Sequence, residues 1–153
     1  MTMLLLFAML LAQTAPVAAP AVNCATVRVA IPASLVGWSE TASAPTIGKA
    51  FVVAGADPTT VRGLRVGEVT KPGNAALVPF EVDDDATYRV ALSEKAWADV
   101  VSGPRVIKSI AHTHGPACSG ITKVVDFPLK RGRYTLHITG LSAASVRVLI
   151  AKA

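Results

Sequence analysis

The chain has 153 residues, 52% of them hydrophobic and 16% charged, with 15 Lys/Arg against 10 Asp/Glu. The formal charge of +5 is spread at intervals, and the rings are few: two Trp, two Tyr and four Phe. A nucleic-acid footprint needs clustered cations interleaved with aromatic rings, so that class of partner is excluded.

The first 21 residues carry no charged side chain. Residues 4–12 (LLLFAMLLA) form an apolar run well short of the roughly 20 residues that a membrane-spanning helix needs. Ala19-Pro20-Ala21 then fits a small-x-small cleavage signal. Together these features predict a secretory signal peptide over residues 1–21, a mature protein starting at Val22, and a periplasmic or secreted location. A buried core helix is disfavoured because the segment has no polar face. Lipidation at Cys24 is disfavoured because Asn23, rather than a small residue, precedes it. No membrane span is expected after cleavage, and residues 22–153 suit one domain with a full core.

In chain order, short apolar or alternating runs predict strands at 26–31, 47–54, 61–66, 76–82, 86–93, 97–101, 105–112, 121–129, 133–139 and 145–151. Gly, Pro, Asn and Asp clusters separate them, including Gly55-Ala56-Asp57-Pro58, Asp83-Asp84-Asp85 and Lys130-Arg131-Gly132. Residues 32–46 form the longest irregular region, with Trp38 its expected anchor. Residues 92–101 could wind into a turn or two of helix, but their β-branched end favours a turn at Ser93-Glu94-Lys95 feeding a short strand. In 133–139, Tyr134, Leu136 and Ile138 alternate with Arg133, Thr135, His137 and Thr139, which predicts one apolar and one polar face. The expected fold is all-β: an antiparallel β-sandwich or jelly roll of about 8–10 strands.

Chemistry concentrates at His112-Thr113-His114-Gly115-Pro116-Ala117-Cys118, which holds two of the three histidines and one of the two cysteines. In an exported chain Cys24 and Cys118 are expected to form one disulfide, which removes Cys118 as a metal ligand. His112 and His114, two apart on a strand, would share a face. With His137, and Asp99 or Asp126 as carboxylate, they are the candidate set for Zn, Cu or Fe. Solvated or hydrogen-bonded structural histidines are the more ordinary outcome, and no cofactor is the first expectation.

His112-Thr-His114 followed by Gly132 and His137 resembles the two metal-binding stretches of cupins, which implies a jelly roll with a three-His, one-Glu metal site. Cys118 stands where a cupin has its Glu. Residues 96–134 (Ala96-Trp97-Ala98-Asp99-Val100, His112-x-His114-Gly-Pro-Ala-Cys118, Phe127-Pro-Leu, Gly132-Arg-Tyr134) also resemble a group of small exported bacterial proteins. Some of these carry the name homogentisate 1,2-dioxygenase, which implies a two-His, one-Glu iron site; this chain offers no matching Glu.

No Gly-x-Ser-x-Gly elbow, phosphate loop, EF-hand or paired-Cys zinc motif is present. Asp83-Asp84-Asp85 reads as a solvated turn, because three adjacent carboxylates on an extended chain cannot all face one ion. Trp38, Trp97, Tyr88 and Tyr134 read first as core anchors and second as a carbohydrate platform. Trp97 and Asp99 are the candidate ligand contacts. The leading expectation is a non-enzymatic binding or interaction module for a small molecule or protein. The alternative is a metal-binding or metal-dependent protein of cupin-like, dioxygenase type using His112, His114 and His137.

Overall fold

The computed structural model describes residues 21–64 and 71–153. Among them nine strands form two antiparallel sheets. Sheet A has the order β1 (Phe51–Ala54), β9 (Ser145–Lys152), β3 (Ala86–Leu92), β7 (Lys123–Leu129) and β6 (Ala111–Thr113). Sheet B has the order β2 (Asn74–Val82), β8 (Gly132–Leu141), β4 (Trp97–Ser102) and β5 (Arg105–Ile107). The protein is an all-β sandwich, as its period-2 patterning predicts.

The core between the sheets follows from that alternation. Val78 and Val82 of β2, Leu136 and Ile138 of β8, and Val100 of β4 face Val90 and Leu92 of β3, Phe127 of β7 and Val148 and Ile150 of β9. Each such burial is worth about 1.5–3 kcal/mol, so the sequence pattern alone favours the two-layer arrangement. The expected polar face of 133–139 is less simple. Leu136 and Ile138 point inward, yet His137 on the opposite face is itself buried, with 7% exposure.

A second, smaller cluster lies on the outside of sheet A. A 3₁₀ helix (Ala33–Ser39) lays Leu35 and Trp38 against Ala91, Val124, Leu149 and Ala151. Arg89 locks this cover in place. It makes a bidentate pair with Asp126 (2.8 and 2.7 Å) and donates a third bond to Ser34 Oγ at 2.7 Å. Arg147 donates to the carbonyls of Trp38 and Glu40 and lies over the Trp38 ring. Trp38 is therefore the anchor of the irregular 32–46 region.

Four expected strands differ from those observed. The 26–31 segment forms no strand: a turn closes on Asn23, and only Ile31 reaches the outer cluster. The 47–54 strand starts only at Phe51, because Thr46–Lys49 is a turn. In 61–66, residues 61–64 are drawn into local turns that begin where Asp57 caps Thr59; residues 65–66 lie outside the described residues. The 105–112 run is two strands in two sheets, with 108–110 crossing between them. The expected signal peptide falls almost wholly outside the described residues. Among the described residues no helix is long and apolar enough to cross a membrane.

Candidate functional site

Cys24 and Cys118 form a disulfide spanning 94 residues of sequence, with Cα atoms 5.3 Å apart. The bridge pins the N-terminal segment to the 114–122 loop. Trp38 Nε1 reinforces it by donating to Ser119 O at 3.0 Å. Inside the same loop Gly115 lies so close to Ile121 that a Cβ would fall 2.4 Å from the Ile121 Cβ. Only glycine permits that approach. The His112–Cys118 stretch is thus a clamped loop entrance, and Cys118 is unavailable as a thiolate ligand.

His112 lies on edge strand β6 opposite Val125, so it shares the face of β7 that looks toward sheet B. His114 lies on the same side, and both imidazoles line one hollow of about 240 Å³. The strand ends at Thr113, so His114 reaches the hollow from the loop just beyond β6 rather than from a shared strand face. His114 is also oriented. Its Nδ1 lies 3.0 Å from the carbonyl oxygen of Thr122, and a carbonyl only accepts, so Nδ1 carries the proton. Thr122 is itself fixed to the end of β3, its N–H donating to Leu92 O and its hydroxyl to Ser93 O. In the neutral ring Nε2 is left as an acceptor.

The rest of the hollow is built around Trp97 at the start of β4. Its side is 40% exposed, in contrast to Trp38. Two ammonium groups lie over its ring, Lys71 Nζ at 4.7 Å and Lys123 Nζ at 4.8 Å from the centroid. Such contacts are worth about 0.5–2 kcal/mol and hold both cations in place. Lys123 starts on β7 and crosses to sheet B, where it donates to Ala96 O at 2.8 Å. Burial pushes its ammonium below the ordinary lysine range; Asp99 opposes that depression and Lys71 adds to it. Lys71 packs its Cβ against Gly140, which has the positive φ of +71° at the end of β8. Lys95 completes a lining with three lysines and, among the described residues, no carboxylate.

An adjoining hollow of about 220 Å³ shares Trp97, His112 and Lys123 and adds Asp99 and Ser109. Trp97, one expected ligand contact, therefore lines both hollows, and Asp99, the other, lines only the second. The lysines were not singled out from the sequence. Lys123 left a signal there: it holds the inward register of Val125, Phe127 and Leu129, where an apolar residue is expected. Lys71 and Lys95 left none, because only the fold brings them near it.

His137 is not part of this cleft. It sits on β8, in register with Asp99 of β4 on one side and Leu77 of β2 on the other. Asp126, the other carboxylate considered, is paired with Arg89. Among the described residues no group of three His, Cys, Asp or Glu is placed to hold a metal ion. The local charge opposes one as well, since Lys71, Lys95 and Lys123 surround the two imidazoles and repel a dication. The residues present do not fit a cupin-type metal centre.

A larger hollow of about 490 Å³ lies on the exposed face of sheet B around Pro79, Glu81, Arg133 and Thr135. Its charges, Arg133 and Glu81, pair with each other at 3.4 Å and so present little net charge to a ligand. The Trp97 cleft is the site with directed recognition groups, three lysines against one carboxylate, Asp99, among the described residues. Comparison of the chain with protein-family models, with curated proteins and with solved structures finds no match.

Proposed function

We propose that this protein is an exported, non-enzymatic binding module whose ligand lies in the Trp97 cleft. The observation that carries this reading is the pair of lysine ammonium groups held over a half-exposed indole. An anionic ligand would gain from both ammonium groups, since the Asp99 carboxylate in the adjoining hollow offsets only part of the positive charge of three lysines. The cleft is concave, with a few polar groups converging from both sheets, the usual form of a small-molecule site. Export is supported by the leader-like N-terminal sequence and by the disulfide. Binding is preferred to catalysis because the described residues lining the hollow with His114 include no Ser, Cys or carboxylate.

The test is a fragment panel of small anions, cations and neutral rings, followed by NMR on the intact protein. The expected result is selective movement of the Trp97 indole N–H and of the His112 and His114 ring signals by anionic members. Shifts confined to the larger hollow around Glu81 and Arg133, or produced equally by cations, would overturn the assignment.

A further inference from the structure

The chemistry of the cleft narrows its ligand beyond "an anion". The hollow of about 240 Å³ falls below the roughly 300–1,000 Å³ of sites for drug-sized molecules, so it suits one ring rather than several. Lys123 gives one of its three N–H groups to Ala96 O and keeps two for a ligand. His114 contributes the opposite polarity. With Nδ1–H committed to Thr122 O, the unprotonated Nε2 of an uncharged ring would be a proton acceptor, which suits a hydroxyl and not a bare anion. Ser109, in the adjoining hollow, can also exchange hydrogen bonds with a hydroxyl.

We infer that the Trp97 cleft binds an acidic sugar: a single hydroxylated ring bearing one anionic group. The anionic group lies between Lys71 and Lys123, and a ring hydroxyl donates to His114 Nε2. This inference rests on the binding-module reading and adds the ligand class to it. A carboxylate and a phosphate ester satisfy the same two lysines, so the shared feature is the acidic, hydroxylated ring. The clamped 114–122 loop favours such a ligand because it fixes the acceptor before binding, and preorganisation lowers the entropy lost on association.

The experiment is calorimetric titration of the full protein with glucuronate, glucose 6-phosphate, glucose, acetate and a short polyuronate, with Trp97 fluorescence as a second readout. Trp38, buried and bonded to Ser119 O, supplies a steady background. The acidic sugars are expected to bind at least about tenfold tighter than both glucose and acetate. Lys71→Met, at the margin of the fold, should lower acidic-sugar affinity about tenfold and bring it near that of glucose. His114→Ala should weaken the acidic sugars and leave acetate unchanged. Glucuronate against glucose 6-phosphate separates the two acids, and the polyuronate tests whether a free ring or a chain end is preferred.

Glucose binding as tightly as glucuronate would overturn the acidic-sugar inference while leaving the binding-module reading standing. Acetate matching glucuronate would show a simple anion site and also overturn it. Failure of every ring compound to bind at millimolar concentration would overturn it too; the anion-fragment panel separately decides whether the cleft binds anything.

Discussion

Cys24 and Cys118 are 94 residues apart in sequence and covalently joined in the fold. The bridge holds a strandless N-terminal segment to the loop that follows His114. By loop-closure entropy a cross-link of this span is worth about 4–5 kcal/mol, less any native strain. The double variant Cys24→Ala/Cys118→Ala is expected to lose stability of that order in denaturant unfolding, with wild type under reducing conditions behaving alike. Cys118 also has a φ of +63°, unusual for a residue with a Cβ. Cys24→Ala/Cys118→Gly should therefore recover about 0.5–1 kcal/mol relative to the double alanine variant. Equal midpoints for the two variants would show that the backbone there relaxes once the bridge is gone.

Arg89 is the second tie between the 3₁₀ helix and sheet A. Asp126→Ala removes both carboxylate contacts and leaves a partly buried guanidinium with only Ser34. The expected loss is about 2–3 kcal/mol, because the remaining charge keeps its desolvation penalty. Ser34→Ala removes one bond and should lose about 1–2 kcal/mol. The measurement is urea unfolding of both single variants and their parent. A loss below about 0.5 kcal/mol for Asp126→Ala would show that water replaces the carboxylate freely.

The sandwich was legible because alternation is a local signal: β2, β3, β4, β8 and β9 each place apolar residues two apart on the inward face. The same signal failed where tertiary context decided the outcome. Residues 105–112 read as one strand, yet the chain changes sheets at 108–110, and nothing in a β-rich run marks such a crossing. Residues 61–64 look strand-like, but Asp57 starts a series of local turns that satisfies their backbone groups instead. At the site, the nearness of His112 and His114 follows from their spacing. The lysine cluster does not, since Lys71, Lys95 and Lys123 meet only after both sheets have formed. His137 alternates as a surface residue and is nonetheless buried.

Asp85 sets the direction of the acid response. Its carboxylate accepts the Arg131 N–H at 2.8 Å and a Lys130 ammonium bond at 3.0 Å, tying the β2–β3 turn to the β7–β8 turn. The backbone bond first and the Lys130 bond second hold its pKa below the usual 3.8. Asp57 is lowered in the same direction by the Thr59 side chain and then its backbone N–H. A depressed carboxylate contributes stability that is present above its unfolded pKa and is lost as pH falls through the folded one. Asp85→Asn should therefore be less stable than wild type at pH 7, with the gap closing below about pH 3.8. Thermal midpoints from pH 7 down to 2.5 would check this, and a gap that stays constant would show that the loss is not electrostatic.

The charge around His112 and His114 predicts an indifferent response to metals. Zinc, copper or iron added to the tag-free protein should leave its unfolding midpoint unchanged, as should a chelator. His112→Ala and His114→Ala should behave the same way in both conditions. Stoichiometric metal in the purified protein, lost on either substitution, would contradict the electrostatic argument and restore the histidine-centre reading.

Lys123 makes the opposite prediction to Asp85 at the alkaline end. Its folded pKa is depressed, first by burial, so between that value and the unfolded 10.5 the unfolded chain holds more protons than the native one. Stability therefore rises with pH in that window, as the penalty on the native ammonium is relieved. Lys123→Met removes the penalty and also removes the bond to Ala96 O and the contact with Trp97. These effects oppose each other, so the net change at pH 7 should stay within about 1 kcal/mol. The distinguishing readout is the slope: wild type gains stability as pH approaches 10.5, and the variant gains less. An anion in the cleft should flatten the wild-type slope in the same way, because it stabilises the charged amine in the folded state. A wild-type slope insensitive to both the substitution and the anion would mean that another group titrates there. It would also remove the argument that an anion in the cleft meets the Lys123 ammonium.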